Sequence, residues 1–152
     1  MKFLINAIGR FKKDPHLDLY QHYVSRLKSS LELTEWEVKK NMDSGPRQVE
    51  EGRMLLSGLP EDCFVVVLDE GGKALSTEQL VEVVSERQLE GVKHMAFLIG
   101  GADGHSAEVK ARANLSLSFG RLTWPHMLVR GLLAEQLYRV QQVQANHPYH
   151  RS

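Results

Sequence analysis

The sequence predicts an α/β fold, a mainly parallel sheet flanked by helices, and three observations predict it. Five strand-like segments alternate with five helix-like ones along the 152 residues, the pattern of strands joined by crossover helices. Two of the strand-like segments, Cys63–Leu68 and Met95–Ile99, are unbroken apolar runs, as strands covered on both faces require. The chain then closes on a long amphipathic helix near Pro125, with apolar residues at Leu128, Leu132, Leu133, Leu137 and Val140.

Each element has a local reason. Lys2 to Ile8 is a short apolar strand ended by Gly9, and Arg10, Lys12 and Lys13 mark a solvated loop after it. Asp14 before Pro15 starts a helix whose stripe is Tyr20, Tyr23, Val24 and Leu27. In Leu31 to Val38 the alternation changes phase between Leu33 and Trp36, which predicts a strand with a bulge or bend. A turn-rich loop, KKNMDSGPRQ, leads to a helix opened by Pro46 and carrying Val49, Leu55 and Leu56. The run from Cys63 is expected to stop at Asp69. Ser76 and Gln79 have the spacing of a capping box, ahead of a helix through Leu89 with Leu80, Val83 and Val84 inward. The second buried run ends at Gly100-Gly101, and Ser106 begins a short helix. Leu115 and Leu117 alternate with Ser116 and Ser118 in a last strand, Gly120 breaks the pattern, and Pro125 suits a first helical turn. On the final helix His126 stands at i,i+4 from Arg130, and Glu135 from Arg139.

A chain of this length with 42% hydrophobic residues is enough for one domain with a full core, so residues 1–152 are expected to form a single unit. The formal net charge is zero, but its distribution is uneven: residues 1–40 carry +3, 41–104 carry −7 and 105–152 carry +4. These blocks either stay apart in space or build one basic surface from the two ends of the chain. The single cysteine, Cys63, has no partner for an internal disulfide and suits a strand core better than a nucleophile's place. The amino terminus is too short in apolar residues for a secretion signal, and no run approaches the roughly 20 apolar residues of a membrane span. The expected compartment is the cytoplasm, with no membrane partner.

Three glycine-bearing segments follow predicted strands: Asp69-Glu70-Gly71-Gly72, Gly100 to Gly104, and Phe119 to Thr123. Ligands of open α/β sheets sit beyond the carboxyl ends of strands, so these are read as three rims of one site. The dinucleotide fingerprint is excluded, because Gly100, Gly101 and Gly104 have the wrong order, and Gly72-Lys73 lacks the hydroxyl of a phosphate loop. No metal is expected: His147 and His150 have no cysteine partner, and no HExxH helix exists.

The LDE-G segment at 68–71, LIGGADG at 98–104, and the ordered combination of TWPH, EQLYR and PYHR near the carboxyl end together resemble one family. It is the SPOUT-class methyltransferase H family, whose members modify bacterial large-subunit ribosomal RNA. The resemblance covers the whole length and draws its specificity from residues 68–151. It implies a SPOUT-type fold with a carboxyl-terminal trefoil knot at about 95–152, S-adenosylmethionine as methyl donor, and a homodimer. The acceptor it implies is N3 of a pseudouridine in helix 69 of 23S ribosomal RNA, free or within the ribosome. Carried over by position, the donor site would comprise Leu68, Gly100, Gly101, Gly120, Arg121, Leu122, Thr123, Trp124 and Pro125. Tyr149, His150 and Arg151 would reach the acceptor, one tail completing the pocket of the other protomer. Two positions depart from the common pattern: Gly71, where many relatives have arginine, and Asp103, where an aromatic is common.

The residue chemistry adds roles. Arg130 and Arg139, with Arg151, suit contact with RNA phosphates, and Tyr149 suits stacking on an extruded base. His150 and His126 are the candidate bases, His126 being the more structural because a helix amino terminus disfavours its charged form. Glu135 suits orienting Arg139. Two other readings keep part of the pattern, a non-catalytic nucleotide-binding module and a ribosome-associated structural protein, as does a SPOUT methyltransferase acting on another RNA base. Binding of S-adenosylmethionine separates the first two from the enzyme.

Overall fold

A computed structural model describes residues 1–39 and 41–150. Its elements, in chain order, are β1 (Lys2–Ile8), α1 (Pro15–Val24), β2 (Leu31–Trp36), α2 (Ser44–Leu56), β3 (Phe64–Lys73), α3 (Thr77–Leu89), β4 (His94–Ile99), α4 (Ala107–Arg112), β5 (Leu115–Leu117) and α5 (His126–Gln144). The five strands form one sheet in the order β2-β1-β4-β3-β5, and every pairing is parallel. The α/β reading holds.

The topology places the helices. The steps β1 to β2 and β3 to β4 run one way along the sheet, and β2 to β3 and β4 to β5 run the other way. With one hand of crossover, α1 and α3 must cover one face and α2 and α4 the opposite one. The helix contacts agree: α5 packs against α1 and α3, and α2 packs against α4. Each face has its own core. Phe3, Ile5, Val66, Met95, Phe97, Leu133 and Leu137 fill the side under α1, α3 and α5. Val65, Val67, Ala96, Leu98, Leu55 and Val109 fill the other. Alternate residues of β3 and β4 point into opposite cores, which is why their sequences are continuous apolar runs. Cys63 belongs to the second core, where burial pushes its thiol pKa up.

Four local expectations are corrected. β2 has no bulge: it pairs β1 in unbroken register from Phe3↔Leu31 to Ile8↔Trp36. Its phase change arises because Leu31 and Leu33 pack into the first core and Trp36 into the second. β3 does not stop at Asp69 but runs to Lys73, with a register shift against β5. α2 begins at Ser44 after Asp43, two residues ahead of Pro46. Pro125 is the cap of α5 rather than its first helical residue. Leu128 and Leu132 on α5 are only half-buried, and the buried face carries Arg130, Gly131, Leu133, Ala134, Leu137, Tyr138 and Val140. The helix starts themselves follow local chemistry: Asp14 accepts from His16 and Leu17, and the Ser76–Gln79 capping box is complete.

Candidate active site

The parallel sheet sends all its strand ends to one edge, and the connections after β3 and β4 leave on opposite faces. A crevice therefore opens between them. Its first rim is the irregular stretch of β3. Leu68 and Lys73 both pair with Leu117, so residues 69–72 bow outward between them. Gly72 permits this, since an added Cβ would lie 2.7 Å from the Ser116 carbonyl carbon. At the crest, Asp69 Oδ1 accepts from the Gly71 amide at 3.1 Å.

The second rim is the loop after β4. The Gly104 amide donates to the Gly101 carbonyl at 3.1 Å, and a left-handed φ of +74° at Gly104 closes the turn. Helix α2 supports it from below: Gln48 Nε2 donates to the Asp103 carbonyl at 2.7 Å. A Cβ on Gly101 would come within 3.0 Å of the Glu51 carboxylate, so the loop lies directly on that buried side chain. Burial, and then the neighbouring charge of Asp103, raises the Glu51 pKa. His105 ties the second rim to the first, its Nε2 lying 2.9 Å from the Leu68 carbonyl. A carbonyl can only accept, so that nitrogen carries the proton. Burial lowers the His105 pKa, which favours the neutral ring.

The third rim links β5 to α5. Ser118 Oγ accepts from the Gly120 amide at 3.1 Å and donates to the Gly120 carbonyl at 3.0 Å, fixing a turn in which Gly120 has φ +103°. The indole of Trp124 reaches back to donate to the Phe119 carbonyl at 3.3 Å. Leu122 nevertheless stays 69% exposed and Trp124 39% exposed, apolar surfaces without an intramolecular cover. His126 opens α5, and burial followed by Arg130 lowers its pKa.

Between the rims lies a cleft of about 600 Å³. Leu68, Gly100, Gly101, Gly120, Leu122, Thr123, Trp124 and Pro125 line it, and Arg121 does not. The walls also hold three carboxylates, Asp69, Glu70 and Asp103, against one cation, Lys110. That balance disfavours a polyphosphate and favours a ligand bearing positive charge. A second cavity of about 450 Å³ adjoins it, sharing Leu117, Phe119 and Gly120 and lined further on by Glu135 and Gln136.

The tail forms a separate cluster on the carboxyl half of α5. Tyr149 meets the Tyr138 ring edge-on at 4.8 Å, and its hydroxyl donates to Glu135 Oε1 at 3.2 Å. Burial, then the Glu135 charge, pushes the Tyr149 pKa up to about 12. Arg139 lies 4.9 Å over the Tyr149 ring, donates through Nε to Glu135 at 3.0 Å, and places NH1 3.3 Å from His150 Nδ1. Arginine only donates, so the His150 proton sits on Nε2, 2.9 Å from Glu78 Oε1. Neither Tyr149 nor His150 lines the cleft of its own chain. Arg151 lies outside the described residues.

A family model described as "Predicted SPOUT methyltransferase" matches residues 1–150. The chain belongs to the SPOUT methyltransferase family. Among curated relatives, a Rhodospirillum rubrum protein named "Ribosomal RNA large subunit methyltransferase H" is 47% identical over the full length of both chains. Proteins of the same name from Paramagnetospirillum magneticum and Bartonella henselae are 45% and 40% identical, each over 99% of both chains.

Within this SPOUT methyltransferase, the site residues fall into three groups. The glycine rims and the apolar loop residues meet in one cleft, with Arg121 apart from it. Tyr149, His150 and Arg139 meet in the tail cluster. Arg130 departs from its expected place: its guanidinium is fully buried, donating to Glu35 Oε2 at 2.6 Å and to the carbonyls of Ile8 at 3.1 Å and Gly9 at 2.8 Å. It braces the fold and offers nothing to a phosphate. Sequence reasoning missed Gln48 and Glu51, whose helix gives no local hint of touching the glycine loop. It also passed over His105, although a histidine directly after a glycine loop was a visible signal. Among the described residues, no group of three His, Cys, Asp or Glu side chains could hold a metal ion, and no helix is long and apolar enough to cross a membrane.

Proposed function

We propose that this protein transfers a methyl group from S-adenosylmethionine to N3 of a pseudouridine in helix 69 of 23S ribosomal RNA. It does so in the cytoplasm as a homodimer with a knotted carboxyl-terminal region. The observation that carries the reading is the cleft, which three glycine-bearing rims enclose, whose loop presents Leu122 and Trp124, and whose charge is mainly acidic. Those features suit the donor. The apolar residues cover the faces of an adenine, the backbone groups read its edge, and the carboxylates answer an ammonium and a sulfonium. A volume of about 600 Å³ falls within the range of such sites. The relatives' name, family membership and the match of TWPH, EQLYR and PYHR supply the acceptor class.

When bound, the donor supplies an electrophilic methyl, and the rest of the task falls to the chain's own residues. The acceptor nitrogen must be held in line and lose its proton. Tyr149 offers an aromatic face to the extruded base, with Arg139 and Glu135 holding its ring and hydroxyl. His150 takes the proton at Nδ1 once that nitrogen parts from Arg139 NH1, and Arg151 contacts phosphate. Neither Tyr149 nor His150 lines the cleft of its own chain, which supports assigning the tail of one protomer to the cleft of its partner.

Calorimetric titration with S-adenosylmethionine, paired with tritium transfer to ribosomes lacking the modification, tests the reading. Saturable binding and incorporation at one uridine-derived position are expected, both lost in Gly120→Val, where a β-branched residue cannot adopt φ +103° without strain. Binding without incorporation at a pseudouridine would overturn the assigned acceptor. Failure to bind with ribosomes present would overturn the donor.

A further inference from the structure

Arg130 was expected to touch RNA, but its side chain is buried, and that burial shapes the surface that we assign to RNA. All five strands end on one edge, so the loop after β1 and the end of β2 share the edge that carries the cleft. Arg10, Lys12, Lys13 and Lys39 stand exposed there. Arg10 is 3.6 Å from the equally exposed Glu37. Among the described residues, Lys12, Lys13 and Lys39 have no carboxylate within ion-pair distance. The one acid beside them in sequence, Asp14, is occupied in capping α1.

The loop is held firmly and close to the cleft wall. Glu35 accepts from the Phe11 amide at 2.6 Å while also accepting from Arg130, and the Arg130 guanidinium lies 4.6 Å over the Phe11 ring. Gly9 turns at φ +93°, and an added Cβ there would meet Met127 Cε at 3.1 Å. Met127 and Arg130 alternate along α5 with His126 and Val129, which line the cleft. One helical turn therefore forms the cleft wall on one side and seats the basic loop on the other. The carboxylates that line the cleft itself, Asp69, Glu70 and Asp103, repel a polyanion.

We propose that Lys12 and Lys13, with Arg10 and Lys39 beside them, form the rim that contacts the phosphodiester backbone of the RNA acceptor, so that the RNA approaches across the ends of β1 and β2. This inference rests on the proposed RNA substrate and adds the surface that recognises it. Phosphate contact by lysine releases counterions, so it is read in salt dependence.

The test is co-sedimentation of the full-length protein with unmodified ribosomes across a salt series, with methyl transfer measured separately. Lys12→Ala/Lys13→Ala should weaken ribosome binding by roughly tenfold or more near 0.1 M salt and lower the log–log salt slope by about 2, one per lysine. Its S-adenosylmethionine titration should match the wild type. Lys93→Ala, exposed on the opposite edge before β4, serves as control and should change nothing. Equal affinity and slope in the double variant, an equal loss in Lys93→Ala, or no ribosome binding by the wild type would each overturn the proposal. A wild type that binds ribosomes through these lysines but transfers no methyl would sink the assigned reaction and leave the surface standing.

Discussion

A guanidinium with no exposed surface needs its charge answered from within, and Arg130 is answered by Glu35 and two backbone carbonyls. Burial pulls its pKa down and Glu35 holds it up. Removing Arg130 leaves Glu35 half-buried without its cation and two carbonyls without a donor, at a cost of up to about 3–5 kcal/mol. Arg130→Ala is therefore expected to lower Tm by on the order of 10 °C, and Arg130→Met with Glu35→Gln should regain a large part of it. Equal thermal midpoints for Arg130→Ala and the wild type would contradict the bracing role. His105 and His126 shift in the same direction as Arg130, but from an ordinary value that lies near neutral pH. Burial depresses both pKa values below the ordinary 6.5, so below that pH the unfolded chain binds more protons than the folded one. Their contribution is complete above about pH 6.5 and is lost as pH falls through the folded-state values. A Tm series from about pH 8 to about pH 5 should decline over the lower half, and His105→Gln, which keeps a donor for the Leu68 carbonyl, should flatten the decline.

At the level of elements, the bowed segment of β3 sets the first rim and depends on close backbone approach at Gly72. Gly72→Ala would press a Cβ against the Ser116–Leu117 backbone, which cannot swing aside as a side chain can. The expected cost is about 1–3 kcal/mol, read by denaturant unfolding, with weaker S-adenosylmethionine binding because Leu68 and Asp69 move with the rim. Unchanged stability would mean that β5 yields freely. What could be read in the sequence follows the range of the forces. The Asp14 cap, the Ser76–Gln79 box and the two buried strands are made by neighbours in the chain, so they leave a local pattern. The rims after β4 and β5 were legible as well, because each follows a strand, whereas the rim at residues 69–72 lies within β3. The double pairing of Leu117 with Leu68 and Lys73 was not, because a register is a relation between distant segments. Nor was the Arg130–Glu35 bond, whose partners stand 95 residues apart. An arginine four residues from a histidine on a helix looks the same in sequence whether it faces solvent or a strand end.

At the scale of the whole molecule, neither Tyr149 nor His150 lines the cleft of its own chain, although Glu135, which holds Tyr149, lines the cavity beside it. If the tail works in trans, two defective chains should complement. If the chain is the proposed homodimer, mixing Gly120→Val protein with protein ending at Pro148 would form heterodimers with one intact cleft facing one intact tail, and about a quarter of wild-type methyl transfer should return. No recovery after verified subunit exchange would place the tail's action within its own chain. The cleft also has an optical consequence. The chain has two tryptophans, one in the second core at the end of β2 and one at the lip of the cleft. Replacing Trp36 by phenylalanine, which also removes a buried indole N–H without a partner, would leave Trp124 as the sole long-wavelength emitter. Its emission would then report the arrival of a nucleoside at the cleft without any label, and a stopped-flow trace could time that arrival apart from the docking of RNA.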